Sequence, residues 1–437
     1  MNLRRPSGAQ TGSAAKRQDT FAALKVSRNF RLYVVGQVVS QAGTWMQAIA
    51  IGWYVLTKTQ SGTMVGLVSA TQFAPMMLFG AWAGVLADRF DKRKTLMFTQ
   101  SLMGTAAFLL WIITSTGIAH MWMVFCLTAL LGIGNALDMP ARGAFVVEMV
   151  GPELLANALS LNAVTMNISR IAGPSVAGAI ITWFGVTQCF LMNSISFAAV
   201  IFALSIMRTA DLFRADRQPR RKGQLRDGFA YVRRTPSLRI ALSMMFVIGM
   251  LTYETQVALP LFAKITFNGS AGTYSIMSAI IGVGSVIGGL ATAGSPQTGV
   301  RVVIRQAVLL GGSYLVLAAC PNLVTAYIAL VFTGMTSITY LARASATLQL
   351  ESDPSMRGRV VALWAVAMQG TTPIGGPIIG FIGEHLSPRF ALLTSGAAAI
   401  AAAVYGATAL RVHHEQLQSQ ASNAGATPAA ATAASSG

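Results

Sequence analysis

Two ionisable residues stand in long apolar stretches, where a charge needs a reason. Arg170 lies within NISRIAGPSVAG and Glu254 within TYETQVALP. At the centre of a membrane span a charge costs about 2.5–3.5 kcal/mol on insertion scales, so Arg170 calls for a partner or a water-filled cavity. It reads either as half of a structural ion pair or as a contact for an anionic substrate or a coupling relay. Glu254 is the one carboxylate placed well inside a span and away from the basic loops. In a low dielectric a carboxyl stays neutral until water or a cation arrives, which is what a proton carrier must do. The competing reading sets it in solvent near the outer mouth.

A second constellation is GVLADRFDKRK, Gly84 to Lys94. Gly84 lets helices approach closely. Asp88, at the end of an apolar stretch, can accept hydrogen bonds from a neighbouring helix N-terminus or pair with a cation. Arg89, Lys92 and Arg93 hold the loop to one side. Such a carboxylate latches two bundles and releases them when they rock. Loop-anchoring cations alone would leave the Gly–Asp spacing unexplained. Asp138 and Arg142 stand at i,i+4 spacing, so they can pair on one helix face. Gly173, Pro174 and Gly178 mark a helix that packs tightly and bends. Gln37, Gln41, Gln72, Asn162, Tyr253, Gln256, Tyr340 and Gln369 are polar side chains within apolar stretches. Each lines a substrate cavity or makes an interhelical hydrogen bond.

Helices in a membrane must position these residues. The chain has 437 residues, 54% hydrophobic and 11% charged, against about 25% charged in a soluble domain. Apolar runs predict twelve transmembrane helices over 30–56, 62–87, 95–116, 119–140, 155–183, 187–208, 238–266, 272–293, 302–319, 322–344, 357–384 and 388–410. Of the 32 Lys and Arg, all but Lys58, Arg170, Lys264 and Arg389 fall in the tails or in alternate loops. Cytoplasmic loops retain Lys and Arg, so both termini are expected in the cytoplasm of a plasma (inner) membrane. Trp53, Trp111, Trp122 and Trp183 fall at the opposite ends, where rings favour the interface. The net charge of +18 then orients the chain and touches anionic lipid; it does not imply nucleic acid.

The expected organisation is a basic cytoplasmic tail (1–27), a six-helix bundle (28–208), a cytoplasmic linker (209–237), a second six-helix bundle (238–410) and a disordered tail (411–437). In the linker, Leu225, Phe229 and Val232 share one face of a short helix suited to the inner leaflet. The halves repeat weakly. Gly62-Thr63 recurs as Gly272-Thr273 and Ser69-Ala70 as Ser278-Ala279. Ala141-Arg142 recurs as Ala342-Arg343 and Gly173-Pro174 as Gly376-Pro377. Two parallel bundles joined by a cytoplasmic linker form a transporter plan with its site near midplane. Cys126, Cys189, Cys320 and the four histidines form no CxxC or Cys/His cluster. No metal, disulfide or cofactor is expected. No HExxH, Walker loop or GxSxG is present either, which speaks against an enzyme.

The Gly84–Lys94 stretch resembles the signature of the major facilitator superfamily, Gly-x-x-x-Asp-Arg-x-Gly-Arg/Lys-Arg/Lys. Gly84, Asp88, Arg89, Lys92 and Arg93 match, and Asp91 replaces a Gly. Gly173-Pro174-x-x-Ala177-Gly178 is similar to an exporter-associated pattern, with Ala177 for Gly. The wording around it, ALDMPARGA and RGRVVALWA resemble the drug- and siderophore-exporting branch. The resemblance implies a cytoplasmic gate network that includes Asp138, and a gate-sealing role for Gly173, Pro174 and Gly178. The Arg that many proton-coupled relatives carry in span four is absent; Thr128 stands there. The chain is thus expected to export a small amphipathic molecule, drug, macrolide or siderophore-like, as a monomer. Proton antiport and alternating access would drive it. An importer, a lipid flippase, or a non-transporting sensor or channel is the alternative.

Overall fold

Backbone groups in hydrocarbon find no water, so apolar stretches of this length are satisfied as helices. The computed structural model describes residues 21–213, 224–293 and 297–425. Among these residues there is no strand. Short α1 (Ala22–Val26) leads into α2 (Arg28–Thr59), where the Ser27 hydroxyl accepts from the Phe30 amide as N-cap. Next come α3 (Gly62–Arg89), α4 (Lys92–Ser115), α5 (Met121–Phe184) and α6 (Thr187–Ser205). After the connector come α7 (Gln224–Arg234), α8 (Pro236–Leu251) and α9 (Thr255–Leu261), which ends in a π-helical turn at Phe262–Thr266. The chain closes with α10 (Ala271–Ala293), α11 (Val300–Ala319), α12 (Leu323–Leu350), α13 (Arg357–Gln369), α14 (Thr372–His385) and α15 (Pro388–Gly425).

The 64-residue α5 is two rods. Gly151 has φ 70°, a conformation open to glycine, and Pro152 starts the second rod where its missing N–H costs nothing. Among the described residues, nine helical segments are long and apolar enough to cross a membrane. The 64-residue α5 counts as one of these nine, and α2, α13 and α14 are not among them.

Within the first half, α2 packs on α5 and α6, and α4 on the same two helices. In the second half, α10 packs on α12, and α15 on α11 and α8. The halves meet through α3 against α14 and α5 against α10. Small residues make the first contact possible: a Cβ added at Gly62 would stand 2.7 Å from the Gly380 carbonyl, and one at Gly66 would collide with Gly376. Large apolar side chains such as Phe98, Phe202, Val316 and Phe332 face outward, a surface suited to lipid and poorly suited to water.

Two details differ from the sequence expectation. α7 forms, and its apolar residues are not equally exposed. Val232 is buried and Phe229 is exposed, because α7 docks on the start of α13. There the Tyr231 hydroxyl accepts from the Asp353 amide at 3.1 Å and Arg359 pairs with Asp227 at 3.5 Å. Leu225 lies outside the residues whose side chains are described. In addition, α15 continues past residue 410 to Gly425 instead of giving way to a tail. Residues 426–437 lie outside the described residues.

Candidate functional site

The basic loops define one end of the bundle; the opposite end is called the far end below. Between the halves lies a small cavity. Trp45 of α2 and Arg170 and Pro174 of α5 line one side. Thr255 and Gln256 of α9 and Tyr274 and Ser278 of α10 line the other. Arg170 lies over the Trp45 ring, 5.6 Å from its centroid, a cation–π contact that partly offsets the loss of water. Among the described residues Arg170 makes no ion pair and no hydrogen bond; Tyr253 and Tyr314 lie within electrostatic range. Gly173 sets this geometry, since a Cβ there would stand 2.5 Å from the Trp45 Cβ and 2.6 Å from the Ala42 carbonyl. Gly178, one turn beyond Pro174, faces Ser275 of the other half.

Glu254 occupies the break between α8 and α9. The regular helix lapses over Thr252–Glu254, and side chains bridge the break to α15. The Thr252 hydroxyl donates to the Ser395 carbonyl at 2.8 Å, and the Ser395 hydroxyl donates to the Leu251 carbonyl at 2.7 Å. The neighbouring span is also broken, between α13 and α14 at Gly370 and Thr371. The two breaks meet. A Cβ at Gly375 would stand 3.2 Å from Glu254 Oε1, and one at Gly376 3.5 Å from Oε2. The Thr372 hydroxyl lies beside the carboxyl. Glu254 is 3% exposed and its Oε1 has no partner. It is therefore not a solvated residue at the outer mouth.

At the basic end, Asp138 is fully buried. It accepts from Thr99 Oγ1 at 2.8 Å and Gln100 Nε2 at 2.9 Å, and it pairs with Arg142. Removing one partner of a buried pair strands the other charge. Asp138→Ala is thus expected to cost about 3–5 kcal/mol, read as a lower midpoint in thermal unfolding of the detergent-solubilised protein. Arg93 donates to the Leu204 and Ser205 carbonyls at 2.7 and 2.9 Å, closing the C-terminus of α6. Lys92 pairs with Glu148 at 3.9 Å. Asp91, which departs from the signature glycine, caps α4 by accepting from the Lys94 amide at 2.9 Å. Arg89 is exposed. The side chains of residues 84–88, and so those of the Gly84–Asp88 motif, lie outside the described residues.

At the far end the halves are joined by hydrogen bonds. Glu384 of α14 accepts from Ser61 Oγ at 2.7 Å, the Thr63 amide at 2.9 Å and Thr63 Oγ1 at 2.6 Å. Its carboxylate thereby caps the N-terminus of α3 from the opposite half, where the helix dipole favours an anion. Lys264 donates to Gln60 Oε1 at 2.9 Å and to the Leu56 carbonyl at 3.3 Å.

The cavity gathers Arg170, Pro174 and Gln256 from the sequence-derived candidates. Gln37, Gln41, Gln72, Asn162, Tyr253, Tyr340 and Gln369 do not line it. Tyr253 donates to the Ser337 carbonyl at 2.8 Å, an interhelical bond. Gln37 and Tyr340 are buried with a polar atom unpartnered. Sequence reasoning missed Trp45, Tyr274, Glu384 and Lys264. Trp53, expected at the interface, stacks on Tyr274 of the other half, 6.5 Å between centroids. The signal for Trp45 was the unmet need of Arg170; Glu384 gave none.

A multi-pass, all-α membrane protein of two packed halves with a polar site between them is built on the major facilitator plan. The family model described as transmembrane secretion effector matches residues 18–436, and the chain belongs to that family. Macrolide efflux protein A of Streptococcus pyogenes is 25% identical over 378 residues, covering 84% of this chain and 93% of that protein. The enterobactin exporter EntS of Citrobacter koseri is 24% identical over 379 residues, covering 85% and 89%. Among solved structures, the nucleoside transporter NupG superposes with a TM-score of 0.73 at 13% identity, covering 88% of this chain and 99% of that one. That likeness establishes the fold. The chain is a major facilitator superfamily transporter with efflux-type relatives.

Proposed function

We propose that this transporter exports a small amphipathic molecule by proton antiport and alternating access, acting as a monomer in a bacterial inner membrane. Two six-helix bundles, 28–208 and 238–410, rock about the cavity at Arg170. The basic end, the 209–237 linker and both ends of the chain, 1–27 and 411–437, face the cytoplasm, so the basic loops sit where positive charge is retained. Gly84, Asp88, Arg89, Lys92, Arg93, Asp138 and Arg142 serve the cytoplasmic gate. Glu254 carries the proton, and Gly173, Pro174 and Gly178 shape the wall between the halves. One observation carries the reading: a cavity lined by both halves, with an ionisable group facing it, lies below a far end closed by Glu384 and Lys264. A ligand there touches both halves, and a site sealed from outside is filled from the cytoplasm. Proton and substrate must favour different states for exchange to be coupled. The efflux names of the relatives support the direction.

Everted vesicles holding the protein should take up a fluorescent amphiphile when their interior is acidified and release it when the gradient is collapsed. Accumulation by right-side-out vesicles instead would reverse the direction, and uptake indifferent to the gradient would remove the antiport.

A further inference from the structure

The interior carries a charge imbalance at the cavity itself. Arg170 faces the space between the halves and rests on Trp45. Among the described residues nothing neutralises it. The buried acids are engaged elsewhere: Asp138 is held by Arg142, Thr99 and Gln100, and Glu254 is turned toward Gly375 and Gly376. What surrounds the cavity is neutral: Thr255, Gln256 and Ser278, with the Tyr274 hydroxyl buried and unpartnered.

From this geometry we infer that the molecule carried is an organic anion: an apolar body bearing a carboxylate or similar oxyanion that pairs with Arg170. The inference rests on the cavity being the transport site, as proposed above, and adds the chemical class. A guanidinium presents a planar fork of donors, and a carboxylate accepts two of them in parallel. Trp45 holds the guanidinium on one face and leaves the fork free for a ligand. The unpartnered Tyr274 hydroxyl supplies a further donor. Aromatic and aliphatic walls at Trp45, Tyr274, Ile49, Leu259 and Ile281 suit the apolar body. A cationic ligand would meet like charge in a low dielectric, which selects against it.

Three fluorescent probes with one body and three charges test this: dansylglycine (anion), dansyl amide (neutral) and dansylcadaverine (cation). Each is titrated against the purified full chain in detergent. Wild type is expected to bind dansylglycine roughly ten- to hundredfold tighter than dansylcadaverine, the range for charge-assisted hydrogen bonds. Arg170→Gln should abolish that preference, and Arg170→Lys, which keeps a point charge without the fork, should restore part of it. Equal binding of the three, preference for the cation, or binding of none by wild type would overturn the inference. So would an intact preference in a monodisperse Arg170→Gln protein. Gradient-driven transport of dansylcadaverine without anion preference would sink the substrate class and leave the export reading standing. Anion preference in binding without gradient-driven transport of any probe would do the reverse.

Discussion

Glu254→Gln is expected to lose proton-driven uptake in everted vesicles by roughly 5–150-fold, the usual span of a coupling free energy of about 1–3 kcal/mol. Glutamine is close in shape to the neutral acid, so folding and substrate binding should persist. Only the ability to alternate between a charged and a neutral group is removed. The position supports this. The carboxyl is buried at 3% exposure, Oε1 is unpartnered, and two broken helices meet around it. Among the described residues a carboxylate there has no cation beside it, so ionising it calls for water or a rearrangement of α9 against α14. Proton loss and helix movement are thereby tied together. Uptake that still tracks the gradient in the variant would show Glu254 to be a structural residue.

The second large effect lies at the far-end seal. Gly380→Val is expected to hold that end open. A Cβ at Gly380 would collide with the Gly62 carbonyl of the other half, and it would meet Thr63 Cα at 3.2 Å. Overpacking a close contact costs about 1–3 kcal/mol, and the outward-open state of the proposed cycle would not bear that cost. The population then shifts by roughly 5–150-fold, since about 1.4 kcal/mol is a factor of ten. A Ser61→Cys reporter, in a background with Cys126→Ser, should become labelled by an impermeant maleimide when Gly380→Val is added. A reporter equally protected with and without Gly380→Val would show that α3 and α14 do not form the gate. The Glu384 contacts at this seal are more exposed than the glycine contact. Solvent screens them, so they contribute less than backbone packing.

How much was legible beforehand follows the range of the physics. Arg170 and Glu254 could be singled out because their cost is local: an ionisable side chain in an apolar stretch is anomalous whatever surrounds it. The expected spans 119–140 and 155–183 left 141–154 as a connection, whereas the structure keeps it helical on both sides of the kink at Gly151. Partners were not legible. Trp45 meets Arg170 only because Gly173 brings α5 against α2 with one particular rotation of each, and rotation is not written in an apolar run. Glu384 looked like the solvated end of a span; its donors at Ser61 and Thr63 lie 321 to 323 positions away. Asp91 is an instructive middle case. The departure from the signature glycine was visible, and the structure shows its physical use as the cap of α4.

Composition and charge order by themselves determined that this chain is a bundle of membrane helices with its basic loops gathered at one end. Those properties depend on the transfer of each segment from water to hydrocarbon, a sum over neighbouring residues. Tertiary structure alone decided which residues join the halves at the far end, where Arg170 finds its aromatic support, and that Glu254 sits at the meeting of two broken helices. Those depend on contacts between distant segments, where a single missing side chain at Gly62, Gly66, Gly376 or Gly380 sets how closely the halves approach.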